Sequence, residues 1–159
     1  MIKNNSKKDF TLVELLVVIA IIGILSSVVL ISLNSARARA RDAKRISDLK
    51  QLETALALYY DANGSYPSTG GIYWGNCSDY GSQNPFIPNL VPAYVAVLPS
   101  DPNPVSTYGC YIYRSNATDY MLLAYYTVES YTTSNNPMKR PSYPNEPDFA
   151  VYSAGGSGW

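Results

Sequence analysis

Hydrophobic and polar positions divide the chain into stretches of different texture. From Phe10 to Leu33 the residues are almost wholly apolar, FTLVELLVVIAIIGILSSVVLISL, and Glu14 is the single charge. A helix needs roughly 20 apolar residues to cross a hydrocarbon core about 30 Å thick, so this run is long enough. Its seventeen Leu, Ile, Val and Phe residues favour insertion by on the order of 5–10 kcal/mol, against at most about 3 kcal/mol for one acidic residue. The segment is expected to enter a membrane with Glu14 aboard.

From Asn34 the pattern changes to SARARARDAKRISDLKQLETALALYY, which is rich in good helix formers. Ile46, Leu49, Leu52 or Glu53, Leu56, and Tyr59 or Tyr60 recur at steps of three and four, one apolar stripe on an otherwise polar helix. No proline interrupts the chain before Pro67, and Asn63-Gly64 offers a left-handed cap. The pattern thus predicts one helix of about 50 residues, near 75 Å long at 1.5 Å per residue. Its first half calls for lipid or other helices, and its second half for a domain to pack on.

Beyond Ser65 the vocabulary is Pro, Gly, Asn, Ser and Tyr, that of loops and short strands. Residues 65–107 read as a long, partly ordered connection, with a short helix or strand within 90–98. Strands are expected at Tyr108–Arg114, Tyr120–Val128 and Phe149–Ser153, with a turn at Asn116-Ala117 or Thr118-Asp119 joining the first two. Residues 129–148, with four prolines, read as an irregular loop. The expected fold class is α+β: a long N-terminal helix whose second half packs on a small antiparallel sheet. The parts are a basic leader (1–9), an apolar helix (10–33), its amphipathic continuation (34–62) and a Tyr-rich globular part (63–159).

Composition narrows the chemistry. Twelve basic residues balance twelve acidic ones, and histidine is absent. That removes the commonest general base and metal ligand. No catalytic constellation appears, so an enzyme is not expected. No metal site is expected either; a calcium ion held by loop carboxylates around 76–84, 99–106 or 145–148 is the one cofactor alternative left open. Arg37, Arg39, Arg41, Lys44 and Arg45 read as a solvated collar facing lipid headgroups, not as a nucleic-acid site, since no aromatics interleave with them. This charge alone would place the C-terminal part in the cytoplasm. Cys77 and Cys110 read as one disulfide of an oxidising compartment, with a free pair as the alternative. All fifteen tyrosines follow Leu58. They read as core and sheet-face residues, with an exposed surface for carbohydrate stacking as the alternative.

Glu14 admits two compatible readings. Thr11-x-x-Glu14 before an apolar run is a capping box. An acid inside a membrane is also costly and usually paired. A cut between Asp9 and Phe10 would create an α-amine at the helix start, and the Glu14 of one chain would meet the Phe10 amine of a staggered neighbour.

The stretch from Phe10 to Leu25, FTLVELLVVIAIIGIL, closely resembles the N-terminal signature of type IV pilins and type II secretion pseudopilins. Tyr94 with Leu98-Pro99-Ser100-Asp101-Pro102 is also similar to a segment of major pseudopilins. The resemblance implies a leader removed by a prepilin peptidase between Asp9 and Phe10, N-methylation of Phe10, and Glu14 pairing with a neighbour's amine in a homopolymer. It also implies a single-pass protein of the cytoplasmic membrane with its C-terminal part outside, which then moves into an extracellular pilus or periplasmic pseudopilus. The alternative is a membrane-anchored binding module or adhesin that keeps its leader and never polymerises.

Overall fold

The computed structural model describes residues 11–104 and 109–159. The expected leader, Asp9, Phe10 and the expected strand start at Tyr108 lie outside these residues. Contacts divide the chain into two units, Met1–Arg37 and Ala38–Trp159. Helix α1, Leu12–Asn63, supplies residues to both.

In the first unit the helix begins where the Thr11-x-x-Glu14 pattern places it. Apolar side chains then face outward all round: Leu12, Val18 and Ile24 are 73%, 46% and 67% exposed. The Ser27 hydroxyl turns back and donates to the Ile24 carbonyl at 2.7 Å, so it needs no outside partner. The helix is long and apolar enough to cross a membrane by length and composition.

In the second unit α1 buries Leu49, Leu52, Ala55 and Leu56, with Ile46 and Tyr59 packed alongside. The choices left open by the sequence resolve to Leu52 over Glu53 and Tyr59 over Tyr60. This stripe lies on a four-stranded antiparallel sheet, ordered β1 (Trp74–Gly75), β2 (Cys110–Ser115), β3 (Tyr120–Tyr125) and β4 (Phe149–Tyr152). Tyr111, Tyr113, Tyr120, Leu122, Ala124, Phe149 and Val151 share the core with the helix. Their neighbours Cys110, Ile112, Met121, Leu123 and Ala150 face a second cluster with Cys77, partly covered by Tyr73, Tyr80 and Trp159. Both faces are thus covered, which removes the polar-apolar alternation of a half-exposed sheet and explains why the β2 sequence alternates so weakly.

Several elements differ from expectation. The third strand stops at Tyr125 instead of Val128, because Tyr126 takes a left-handed conformation (φ 53°). Tyr126 then gives its N–H to Asp148, and Thr127 and Val128 give theirs to the Pro147 carbonyl. Residues 90–98 form neither helix nor strand but a single turn, in which the Leu90 carbonyl accepts from Tyr94 and Val95. The 65–104 connection is more than a tether, since Phe86, Ile87, Leu90 and Val95 are buried in the main core. Strand β1, at two residues, is too short to leave a periodic signal. Gly75 is required there, because a Cβ would stand 2.6 Å from Ile112 Cγ2.

The helix ends at Gly64, whose φ of 69° is left-handed and whose N–H bonds the Tyr60 carbonyl at 2.7 Å. Nothing lies within 4 Å of a Cβ built there. Gly64→Ala should therefore cost only the backbone penalty, about 1 kcal/mol. Denaturant unfolding of the detergent-solubilised chain checks this. An unchanged midpoint would show that the cap does not hold the helix end.

Candidate functional site

Two constellations stand out, one in each unit. At the start of α1 the Thr11 N–H and hydroxyl both donate to Glu14 Oε2, at 2.9 and 2.8 Å, and the Glu14 N–H returns to Thr11 Oγ1 at 3.2 Å. This is a complete capping box, and it satisfies two of the backbone N–H groups that a helix start leaves open. Both bonds to the carboxylate use Oε2. Among the described residues Oε1 accepts none of the hydrogen bonds of this box, so the cap leaves one carboxylate oxygen for another donor. Phe10 and Asp9 lie outside the described residues.

The second constellation is a buried ion cluster on α1. Its buried stripe does not end at Leu49 but continues at helical spacing through Asp48, Arg45 and Asp42, which are 1%, 1% and 0% exposed. Arg45 grips Asp101 with two parallel bonds, Nε to Oδ2 at 2.7 Å and Nη2 to Oδ1 at 2.8 Å. Its Nη1 donates to Asp42 Oδ1 and to Glu129 Oε1, each at 2.8 Å. Asp42 in turn accepts from the N–H groups of Glu129 and Ser130 and from the Ser130 hydroxyl. Arg41 closes over Glu129 through Nε at 2.8 Å and a second bond through Nη2. Asp48 pairs with Lys44 and accepts from the Tyr111 hydroxyl at 2.9 Å. One helix face is thereby fastened to the 99–104 loop, to the segment after β3 and to β2.

The collar expected from Arg37, Arg39, Arg41, Lys44 and Arg45 is therefore corrected. Arg45 is buried and Arg41 is committed to Glu129, because four carboxylates meet this face. Arg37 and Arg39 are exposed. The electrostatics follow from the contacts. Burial works against the Arg45 charge, but bonds to Asp101 and Glu129 outweigh it and raise its pKa. The Arg41 hydrogen bond, helped by Arg45 and opposed by partial burial, holds Glu129 down at about 2. Burial first, and then the Asp48 carboxylate, pushes the Tyr111 phenol up.

Cys77 and Cys110 are bonded to each other, with Cα atoms 5.8 Å apart and a sequence separation of 33. The bond ties the loop after β1 to the start of β2. Closing a loop of that size stabilises by about 3–4 kcal/mol in the chain-entropy model. Among the described residues no group of three His, Cys, Asp or Glu side chains is placed to hold a metal ion.

No protein-family model matches the chain, and no solved structure matches it. Curated relatives match its N-terminal region. Over 67 residues it is 42% identical to the type II secretion system core protein G of Klebsiella michiganensis, covering 42% of this chain and 47% of that protein. It is likewise 42% identical over 65 residues to the type II secretion system core protein G of Escherichia coli, covering 41% and 45%. A fimbrial protein of Neisseria meningitidis is 40% identical over 65 residues, covering 41% and 38%. The chain thus spans less than half the length of these relatives.

Removing Arg45 would strand Asp42 and Asp101 in the interior, so Arg45→Met should cost about 3–5 kcal/mol. Arg41→Met, at a partly exposed and solvent-screened pair, should cost far less. Equal costs in denaturant unfolding would refute the buried cluster. The Glu129 pKa is lowered on folding, so its contribution is present above the unfolded value of 4.5 and is lost as pH falls from there toward 2. Unfolding measured across that window should show a shallower acid loss in Glu129→Gln than in the parent chain.

Proposed function

We propose that this chain is a structural subunit of a type IV pilus-like filament or a secretion pseudopilus, polymerising through its apolar N-terminal helix. The observation that carries the reading is the first half of α1, which exposes apolar side chains on all sides and has Glu14, the one acid of that stretch, at its start. In a membrane such a surface is solvated by lipid. Outside one it is stable only when other helices cover it, and copies of the same helix suit that role. The capping box is compatible with assembly, since Oε1 of Glu14 lies outside the Thr11 bonds. The names and N-terminal identity of the relatives support the same reading, as does a long helix packed on a small antiparallel sheet.

In this account a prepilin peptidase cuts between Asp9 and Phe10, and Phe10 is N-methylated. The amine then pairs with Glu14 of a neighbouring subunit and sets the axial register. The precursor sits in the cytoplasmic membrane with residues 38–159 outside the cytoplasm, where the Cys77–Cys110 bond is stable. The role is structural, not catalytic, and it calls on no cofactor. A second reading, an anchored binding module that keeps its leader, draws on Asp9, a charged side chain where the resembling family has glycine.

Glu14→Gln separates the roles of this acid, because it keeps much of the cap's hydrogen bonding and removes the charge. An unpaired amine in a water-poor interface costs about 3–5 kcal/mol, so sheared filament should fall below detection while membrane insertion stays at the parent level. Filament yield equal to the parent's would leave Glu14 with the capping role alone.

A further inference from the structure

The outer face of the sheet carries a cavity of about 280 Å³ that the filament reading does not use. Its aromatic side is made by Tyr80, Tyr125 and Tyr143, and its polar side by Arg140 and Glu146. Tyr80 and Tyr125 meet edge to face at 5.2 Å. Tyr143 is 53% exposed, with the Arg140 guanidinium 4.3 Å from its ring centre.

Arg140 is buried, and its bonds hold it in place. Nη2 donates to the Tyr73 hydroxyl and to the Trp159 carbonyl, each at 2.9 Å. Nη1 stands 3.9 Å from Asp148 Oδ2, beyond hydrogen-bond reach. That oxygen is buried and has no hydrogen-bond partner among the described residues, while Oδ1 accepts from the Tyr126 N–H at 2.7 Å. Burial pushes Asp148 up to about 6, against the pull of the Tyr126 N–H and Arg140. The lining itself holds one cation and one anion, so it has no net charge with which to select an ionic ligand.

We propose that this cavity binds a single neutral pyranose unit of a glycan. A pyranose presents a C–H face and a rim of hydroxyls, and the cavity offers the matching halves. Tyrosine rings pack on the face, Glu146 accepts from hydroxyls, and Arg140 Nη1 and the tyrosine hydroxyls donate to them. The volume falls just under the roughly 300–1,000 Å³ of pockets for drug-sized ligands, which suits one ring. Every residue involved belongs to the Ala38–Trp159 unit, so the inference stands independently of polymerisation.

The test uses the full chain in a zwitterionic, non-glycosidic detergent, since maltoside headgroups would compete. Saturation-transfer NMR is run against a panel of neutral methyl pyranosides and their acidic counterparts, with affinities from titration. At least one neutral pyranoside should bind. Its affinity should fall tenfold or more in Tyr143→Ala and in Glu146→Gln, with thermal unfolding of both variants matching the parent. Tyr143 is half exposed, so its replacement leaves the fold intact. No transfer to any neutral pyranoside, binding that survives both substitutions, or selection of the acidic sugars would each overturn the proposal.

Discussion

Arg45 carries a permanent charge into a place with almost no water, and its hydrogen bonds to Asp101, Asp42 and Glu129 keep it there. The net stabilisation from such a cluster is modest, because desolvating each ion offsets most of the attraction. Its consequence is registry. An apolar stripe alone would tolerate a small rotation or slide of the helix against the sheet, whereas a two-pronged grip on Asp101 fixes both. Asp42 extends the grip to the 129–130 backbone and Asp48 extends it to Tyr111, so the irregular segments inherit the position of the helix. The disulfide fastens the loop after β1 on the far side of the same sheet.

The apolar unit follows the opposite rule. Among the described residues nothing covers Leu12, Val18 or Ile24, which suits the helix to the two successive environments of the proposed filament role. In that proposed role lipid solvates it without preference, and packed copies bury it without needing a unique side-chain match. Under the same proposal, specificity falls to Glu14, the one charged group of the apolar stretch. The Thr11 cap holds Glu14 in a defined position and uses one of its two oxygens.

Much of this was legible in residue spacing. The apolar run, the amphipathic stripe, the Thr11-x-x-Glu14 box, the Gly64 stop and the α+β class all follow from local rules that tertiary context did not override. The ion cluster did not, because the buried stripe there is carried by Asp42, Arg45 and Asp48. A search for apolar periodicity halts at Ile46 even though the spacing of three continues; charged residues in phase with the stripe were the available signal. Phe86, Ile87, Leu90 and Val95 were hidden for another reason: they reach the core from irregular backbone, where no period exists. The early end of β3 turns on the left-handed Tyr126, held by Asp148 more than twenty residues away, and no local pattern encodes that.

In the proposed role the apolar helix passes from membrane to filament and gains its specificity from a new amine opposite Glu14. Intact mass with N-terminal sequencing of the protein taken from membranes tests this most directly. The expected chain begins at Phe10 and carries one added methyl group. A chain that still begins at Met1 would contradict it.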